Sequence, residues 1–153
     1  MAVLDDFMTA FNARDDEAMC RTFHYPHVRF ASGGIRIYET IAHCVEQFDF
    51  ARFAARFGWD HSEWDRRTVV QATTDKVHVA VIFSRYNDAG DRLSEADSLY
   101  IVTRVDRRWG IRSRSSFPTV YVHTRERFDL NHFSAHKTEE HGCIRTSCYL
   151  AKV

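Results

Sequence analysis

No net charge remains on this chain once its 21 Lys and Arg are set against its 21 Asp and Glu. No global field therefore draws it to nucleic acid or to an anionic membrane, and no polyanion partner is expected. No apolar run approaches the length of a membrane span. The start, MAVLDDFM, has acids where a secretory leader needs basic residues and a long apolar stretch. None of the four cysteines, Cys20, Cys44, Cys143 and Cys148, forms a C-x-x-C unit. The first two fall within expected helices, so reduced thiols in a cytoplasmic protein are the expectation. No internal repeat or low-complexity tract appears. What is present is an ordinary balance, 44% hydrophobic and 27% charged, over a length that suits one core.

The plan of the chain is most visible in residues 77–117. VHVAVIFSRY alternates and is rich in β-branched residues, and Asn87-Asp88-Ala89-Gly90 supplies hairpin-turn chemistry after it. Leu93 to Val105 and Trp109 to Phe117 follow as two more strands, joined by a turn at Asp106-Arg107-Arg108. Upstream, Leu4, Phe7, Met8 and Phe11 predict an amphipathic helix, and a short helix carrying Met19, Cys20 and Phe23 starts at Asp15 or Asp16. HVRFAS and IRIY make a small hairpin about Gly33-Gly34. Glu39 to Phe57 reads as one longer helix ended by Gly58, and TVVQAT as a strand. The order predicts an α+β domain, a curved antiparallel sheet covered on one face by three N-terminal helices. That domain is expected over residues 1–118. After Pro118 the texture changes, and residues 119–153 are expected to be a tail or wrapping arm.

FMTAFNARDDEAMCRTFHYPHVRFASGG and the closing SLYIVTRVDRRWGIRSRSSF resemble the NTF2-like superfamily, with ketosteroid isomerase-like and SnoaL-like members. The resemblance implies a cone with a pocket between the concave face of the sheet and the helices, often dimeric through the convex face. It implies no single reaction: isomerase, dehydratase, cyclase and epoxide-hydrolase chemistry all occur, as do non-catalytic association modules. It is the carboxylates expected inward beside Phe and Ile positions that point to a small hydrophobic ligand. Carried over to this chain, the isomerase's oxyanion tyrosine falls at Phe7, its general base near Ala31 and its protonated aspartate at Asp97. The Arg and two acids of the epoxide hydrolases have a counterpart in Arg85, Glu95 and Asp97.

Alternation groups Glu95 and Asp97 with Leu99 and Ile101, which marks their face as inward. Pairing about the 88–90 turn brings Val81, Phe83 and Arg85 to that face, and a bulge would reverse the assignment. Asp97, Glu95 and Arg85 are therefore the candidate catalytic residues. The candidate ligand-binding residues are Phe7, Phe11, His24, Tyr25, Phe30, Trp59, Val81, Phe83, Leu99, Ile111 and Ser113. No cofactor and no metal are expected: His24 and His27 have H-x-x-H spacing but Pro26 lies between them, and His132, His136, His141, Cys143 and Cys148 lack compact zinc spacing. Arg104, Arg107, Arg108, Arg112 and Arg114 read as a solvated or dimer-facing cluster. A homodimer is expected because Tyr100 and Val102 would otherwise be exposed on the convex face.

Overall fold

The apolar residues of the opening segment recur every three or four positions and wind into α1, Ala2–Asn12, burying Val3, Leu4, Phe7, Met8, Ala10 and Phe11. The computed structural model describes residues 2–31 and 34–120, all within the first of the chain's two units, Met1–Tyr121. α2, Asp16–Arg21, is capped by Asp15, whose Oδ1 accepts from the Ala18 N–H at 2.8 Å. The Asn12 side chain clamps the end of α1 to the sheet, donating to the Ser62 carbonyl at 2.8 Å and accepting from the Ser62 N–H at 2.9 Å.

Six strands follow the alternation: β1 Phe23–Ala31, β2 Gly34–Tyr38, β3 His61–Ala72, β4 Lys76–Tyr86, β5 Arg92–Val105 and β6 Arg108–Val120. They form one curved sheet in the order β2-β1-β6-β5-β4-β3. Every neighbouring pair is antiparallel except β1 and β6, which run parallel, so the all-antiparallel expectation is corrected at that junction. The expected α+β architecture, with helices on one face of the sheet, is the one adopted.

The single helix expected from Glu39 to Phe57 is two, α3 Ile41–Gln47 and α4 Phe50–Phe57. Residues two apart on a helix point about 200° apart, so an unbroken helix could not turn both Phe48 and Phe50 to one neighbour. The break lets both reach Phe11, with ring centroids at 6.1 and 5.3 Å, and Asp49 caps the new helix at the Arg52 N–H. α4 ends at Gly58, whose φ of +60° is the left-handed conformation that glycine adopts freely.

The reduced-thiol expectation is also corrected. Cys20 of α2 and Cys44 of α3 are disulfide-bonded, with Cα atoms 6.1 Å apart. Membership of two helices did not keep them apart, because both face inward where α2 meets α3. β6 continues to Val120, past the boundary expected at residue 118. Residues 121–153, with the tail's histidines and cysteines, lie outside the described residues. Among the described residues, no helix is long and apolar enough to cross a membrane.

Candidate functional site

The face of the sheet beneath the helices is set by register. Val79, Val81, Phe83 and Arg85 of β4 stand opposite Tyr100, Ser98, Ala96 and Ser94 of β5, and opposed residues share a face. Val79, Val81 and Tyr100 are 2% exposed or less, which identifies this as the inner face. Tyr100 is opposite Arg114 of β6, Arg114 is opposite Arg29 of β1, and Arg29 is opposite Arg36 of β2. Three arginines therefore stand in one row across adjacent strands, with Arg85 on the same face.

Arg114 is 7% exposed, with its guanidinium over the rings of Phe7 and Phe23 at 5.1 and 5.3 Å. Arg85 lies over Phe53 and Phe83 at 5.1 and 5.4 Å. Burial, then the neighbouring Arg114, pulls the Arg29 guanidinium down to about 10, and burial brings Arg85 to about 10 as well. Both remain cations at neutral pH. The Nε atoms of Arg29, Arg85 and Arg114 are closed off from solvent and have no hydrogen-bond partner among the described residues, as are Trp64 Nε1, Ser98 Oγ and His27 Nε2. His27 stacks on Phe23 at 3.9 Å, and its Nδ1 is 2.9 Å from the Ile111 carbonyl. A carbonyl only accepts, so Nδ1 carries the proton and Nε2 is left as an acceptor. Burial, then Arg114, pushes the His27 imidazole down to about 3.

The described strands carry four carboxylates, Glu63, Asp65, Glu95 and Asp97. All four are on the outer side: Glu63 opposes Ser84, Ser84 opposes Glu95, Asp97 opposes Ile82, and Asp65 accepts from Ser84 at 2.5 Å. The inward placement of Asp97 and Glu95 is thus corrected. Leu93 is an extra residue on β5, since Tyr86 pairs with Arg92 but Arg85 with Ser94, and this bulge reverses the parity of the strand. Asp97 and Leu99 are exposed, and Arg85 meets neither acid. Glu95 is held instead by Arg92 at 2.7 Å, which also reaches Asp65 at 3.1 Å. Tyr100 and Val102, expected on the convex face, are core residues at 2% and 0% exposure.

A second bulge, at Arg112, separates Ile111 from Ser113: Val102 pairs with Ile111 but Ile101 with Ser113. Ile111 is in the core as expected, Ser113 is on the outer face, and Arg114 turns inward out of its expected surface cluster. Phe30 is 44% exposed on the outer face, because the Phe23–His27 stack fixes the odd-numbered residues of β1 inward. His24 and His27 consequently face opposite ways and share no metal site. The His24 ring, 5% exposed, packs against Gly110 with Nδ1 2.9 Å from Thr103 Oγ1, and burial, then Arg108 and Arg112, brings it down to about 4. The Tyr25 hydroxyl donates to the Cys20 carbonyl at 2.7 Å, so it ties β1 to α2 instead of serving a pocket, and burial pushes it up to about 12. Phe7, Phe11, Trp59, Val81 and Phe83 lie on the helix side as expected. Phe11 and Trp59 are committed to an aromatic cluster, their rings 5.0 Å apart, while Phe7 and Phe83 carry the arginines.

A groove of about 310 Å³ crosses the outer face between Arg66, Thr68, Val70, Ala80, Ile82 and Asp97. It is open to solvent, and none of the buried unpartnered atoms lines it. The polar site is on the inner face.

The sequence profile of the family described as NTF2-like protein (DUF6841) matches residues 1–119. The chain belongs to this NTF2-like family. Its fold is similar to that of a Nostoc punctiforme protein of unknown function with a cystatin-like fold, at 16% identity and a TM-score of 0.65, over 78% of this chain and 87% of that one. An NTF2-like protein with a cystatin-like fold from Novosphingobium aromaticivorans is similar at 12% identity and a TM-score of 0.62, over 75% and 76% of the two chains. A ketosteroid isomerase-like protein from Erwinia carotovora atroseptica is similar at 18% identity and a TM-score of 0.55, over 75% and 89%. No curated protein matches the sequence. At these identities the likeness is one of fold and assigns no site. Alternation turns Arg85 inward, as the structure does, but not Arg29, Arg36 or Arg114, since one bulge hides the parity of Arg114. Arg29 had a usable signal, since it shares odd parity with Phe23 and His27.

Proposed function

We propose that this NTF2-like domain binds a small organic molecule between its helices and the inner face of its sheet. One observation carries the reading: six buried polar atoms of that face, His27 Nε2, Arg29 Nε, Trp64 Nε1, Arg85 Nε, Ser98 Oγ and Arg114 Nε, have no partner among the described residues. Leaving a buried polar group unsatisfied costs about 1–3 kcal/mol, so folded proteins rarely keep several together without an occupant. Aromatic walls at Phe7, Phe83 and Trp64 suit an apolar body. Acid/base chemistry of the isomerase type is not part of this reading, because the strand carboxylates stand on the other face. Native mass spectrometry of the gently desalted full chain, with a thermal-shift screen of small organic compounds, tests it. The chain's own mass alone, with no compound raising the melting temperature, would refute it.

A homodimer belongs to the same proposal on a separate observation. Phe30 and Leu99 flank Ser115 across adjacent strands, and Phe117, beside them on β6, is 72% exposed. These residues make an apolar outer patch that a second copy would cover. Light scattering should then give twice 17.9 kDa, and a monomeric mass would end the idea. The cytoplasmic location expected from the sequence carries one amendment: in a reducing compartment the Cys20–Cys44 bond would be largely open.

A further inference from the structure

Of the six inner-face atoms without partners, five belong to groups that donate. Arginine and tryptophan nitrogens can only donate, and the Ser98 hydroxyl can do so. An occupant that satisfies them must be rich in acceptors. The side chains that carry the site also repel one another. Arg36, Arg29 and Arg114 stand directly opposite across three neighbouring strands, where like charges destabilise a sheet. Among the described residues no carboxylate pairs with them, and every described strand carboxylate is on the outer face. The ring faces of Phe7, Phe23, Phe53 and Phe83 offset part of the charge on Arg114 and Arg85, but they satisfy no N–H in the guanidinium plane.

We infer that the inner face is an organic-anion site in which Arg114, Arg29 and Arg85 take the carboxylate of a ligand whose aromatic body lies against Phe7, Trp64 and Phe83. The inference rests on the pocket reading above and adds to it the charge and head group of the ligand. A planar carboxylate presents two acceptor oxygens that match the guanidinium fork, and Arg114 and Arg29, on adjacent strands, offer two such forks side by side. Trp64 Nε1 and Ser98 Oγ supply further donors, and His27 Nε2 can accept from a ligand hydroxyl.

The probes are phenylacetate and 3-phenylpropionate, each against its neutral amide, added to the full chain at matched sodium chloride. Both carboxylates should raise the melting temperature and titrate calorimetrically, and the amides should not. Arg114→Met and Arg29→Met should each weaken the carboxylate at least tenfold, with Arg114→Lys recovering part of the loss. Exposed Arg107→Met should bind like the parent. Circular dichroism of each variant verifies that it is folded, so that lost binding is read as lost contact. Amides binding as well as the acids would overturn the anion site and leave the pocket reading standing. Carboxylate binding unchanged in both Met variants would overturn the assignment to these arginines. Inorganic sulfate binding as tightly as phenylacetate would overturn the organic ligand, and no binding by any probe would overturn the anion site, the pocket reading being decided separately by the native mass and the compound screen.

Discussion

Replacing Arg114 with methionine should make the ligand-free domain more stable, although it removes a side chain that is 7% exposed and lies against two aromatic rings. An unpaired ion in a protein interior carries an effective desolvation cost of several kcal/mol. Against that, the two ring contacts return about 1–2 kcal/mol each. Methionine retains much of the apolar packing of the arginine stem and is flexible enough to fill the space. The balance favours the variant by roughly 1–3 kcal/mol, in line with replacing buried charge by well-packed apolar residues. For a chain of this length each kcal/mol moves the melting temperature by about 3–4 °C, so a rise of ~3–10 °C is expected. Differential scanning fluorimetry in buffer with chloride as the only anion reads it, and urea titration gives the same difference as a free energy. Phenylacetate should then narrow the gap, because only the parent gains a counter-ion. A variant that melts several degrees lower without ligand would show that the guanidinium is a stabilising part of the core, and the reasoning would fail.

Reductant should lower stability by about 3 kcal/mol, the chain-entropy value for a loop of this size, since the Cys20–Cys44 bond closes a separation of 24 residues; an unchanged melting temperature would show that the bond contributes nothing. Gly110→Ala should cost ~1–3 kcal/mol, because a Cβ there would sit 2.6 Å from Cδ2 of the buried His24 ring. Trimming that ring in a Gly110→Ala, His24→Ala double variant should recover part of the loss, and a silent Gly110→Ala would refute the close contact. Asp97→Asn should leave stability within about 0.5 kcal/mol and probe binding unchanged, as suits an exposed outer-face residue; lost binding would put Asp97 back in the site. Acid should destabilise through His27, whose folded value near 3 lies below its unfolded value near 6.5. The unfolded chain takes up the proton first, so stability is lost as pH falls from about 6.5 toward 3, by on the order of 3 kcal/mol at pH 4. His27→Gln should shrink that limb of the pH profile and leave the share of His24, whose folded value near 4 acts in the same direction, and an identical limb in the variant would refute the assignment.

Much of the fold was legible because its elements obey simple periods. The 3.6-residue spacing of Leu4, Phe7, Met8 and Phe11 gave α1, and the alternation of VHVAVIFSRY gave β4 with its inner residues correctly sided. The site was much less legible, because its placement depends on single-residue insertions that leave little mark on composition. Arg112 is one: it reads as another member of a basic run, yet as a bulge it turns Arg114 inward and Ser113 outward. The helix break at Phe48–Asp49 and the meeting of Cys20 with Cys44 are likewise tertiary outcomes. Each depends on a partner distant in sequence, Phe11 in one case and another helix in the other.

Leu93 decides the sign of the inner face. Without that bulge β5 would slip by one residue, Glu95 and Asp97 would face inward opposite Phe83 and Val81, and Arg85 would gain the acids that the alternation suggests. The apolar exchange is nearly even, Leu99 and Ile101 entering the core for Tyr100 and Val102, at about 1.5–3 kcal/mol for each large side chain buried. Two details tip it toward the observed register. Tyr100 packs on Phe7 and Trp64, with centroids at 6.1 and 5.8 Å, and neither leucine nor isoleucine would replace those ring contacts. The slip would also bury two carboxylates, each costing several kcal/mol in lost solvation. The bulge keeps both acids on the outer face, with Glu95 beside Arg92, and puts small Ser98 and Ala96 beneath the helices instead. The same choice denies Arg29, Arg85 and Arg114 any counter-charge from the described strands, so the register that spares the fold two buried acids leaves the inner face suited to an acid brought by a ligand.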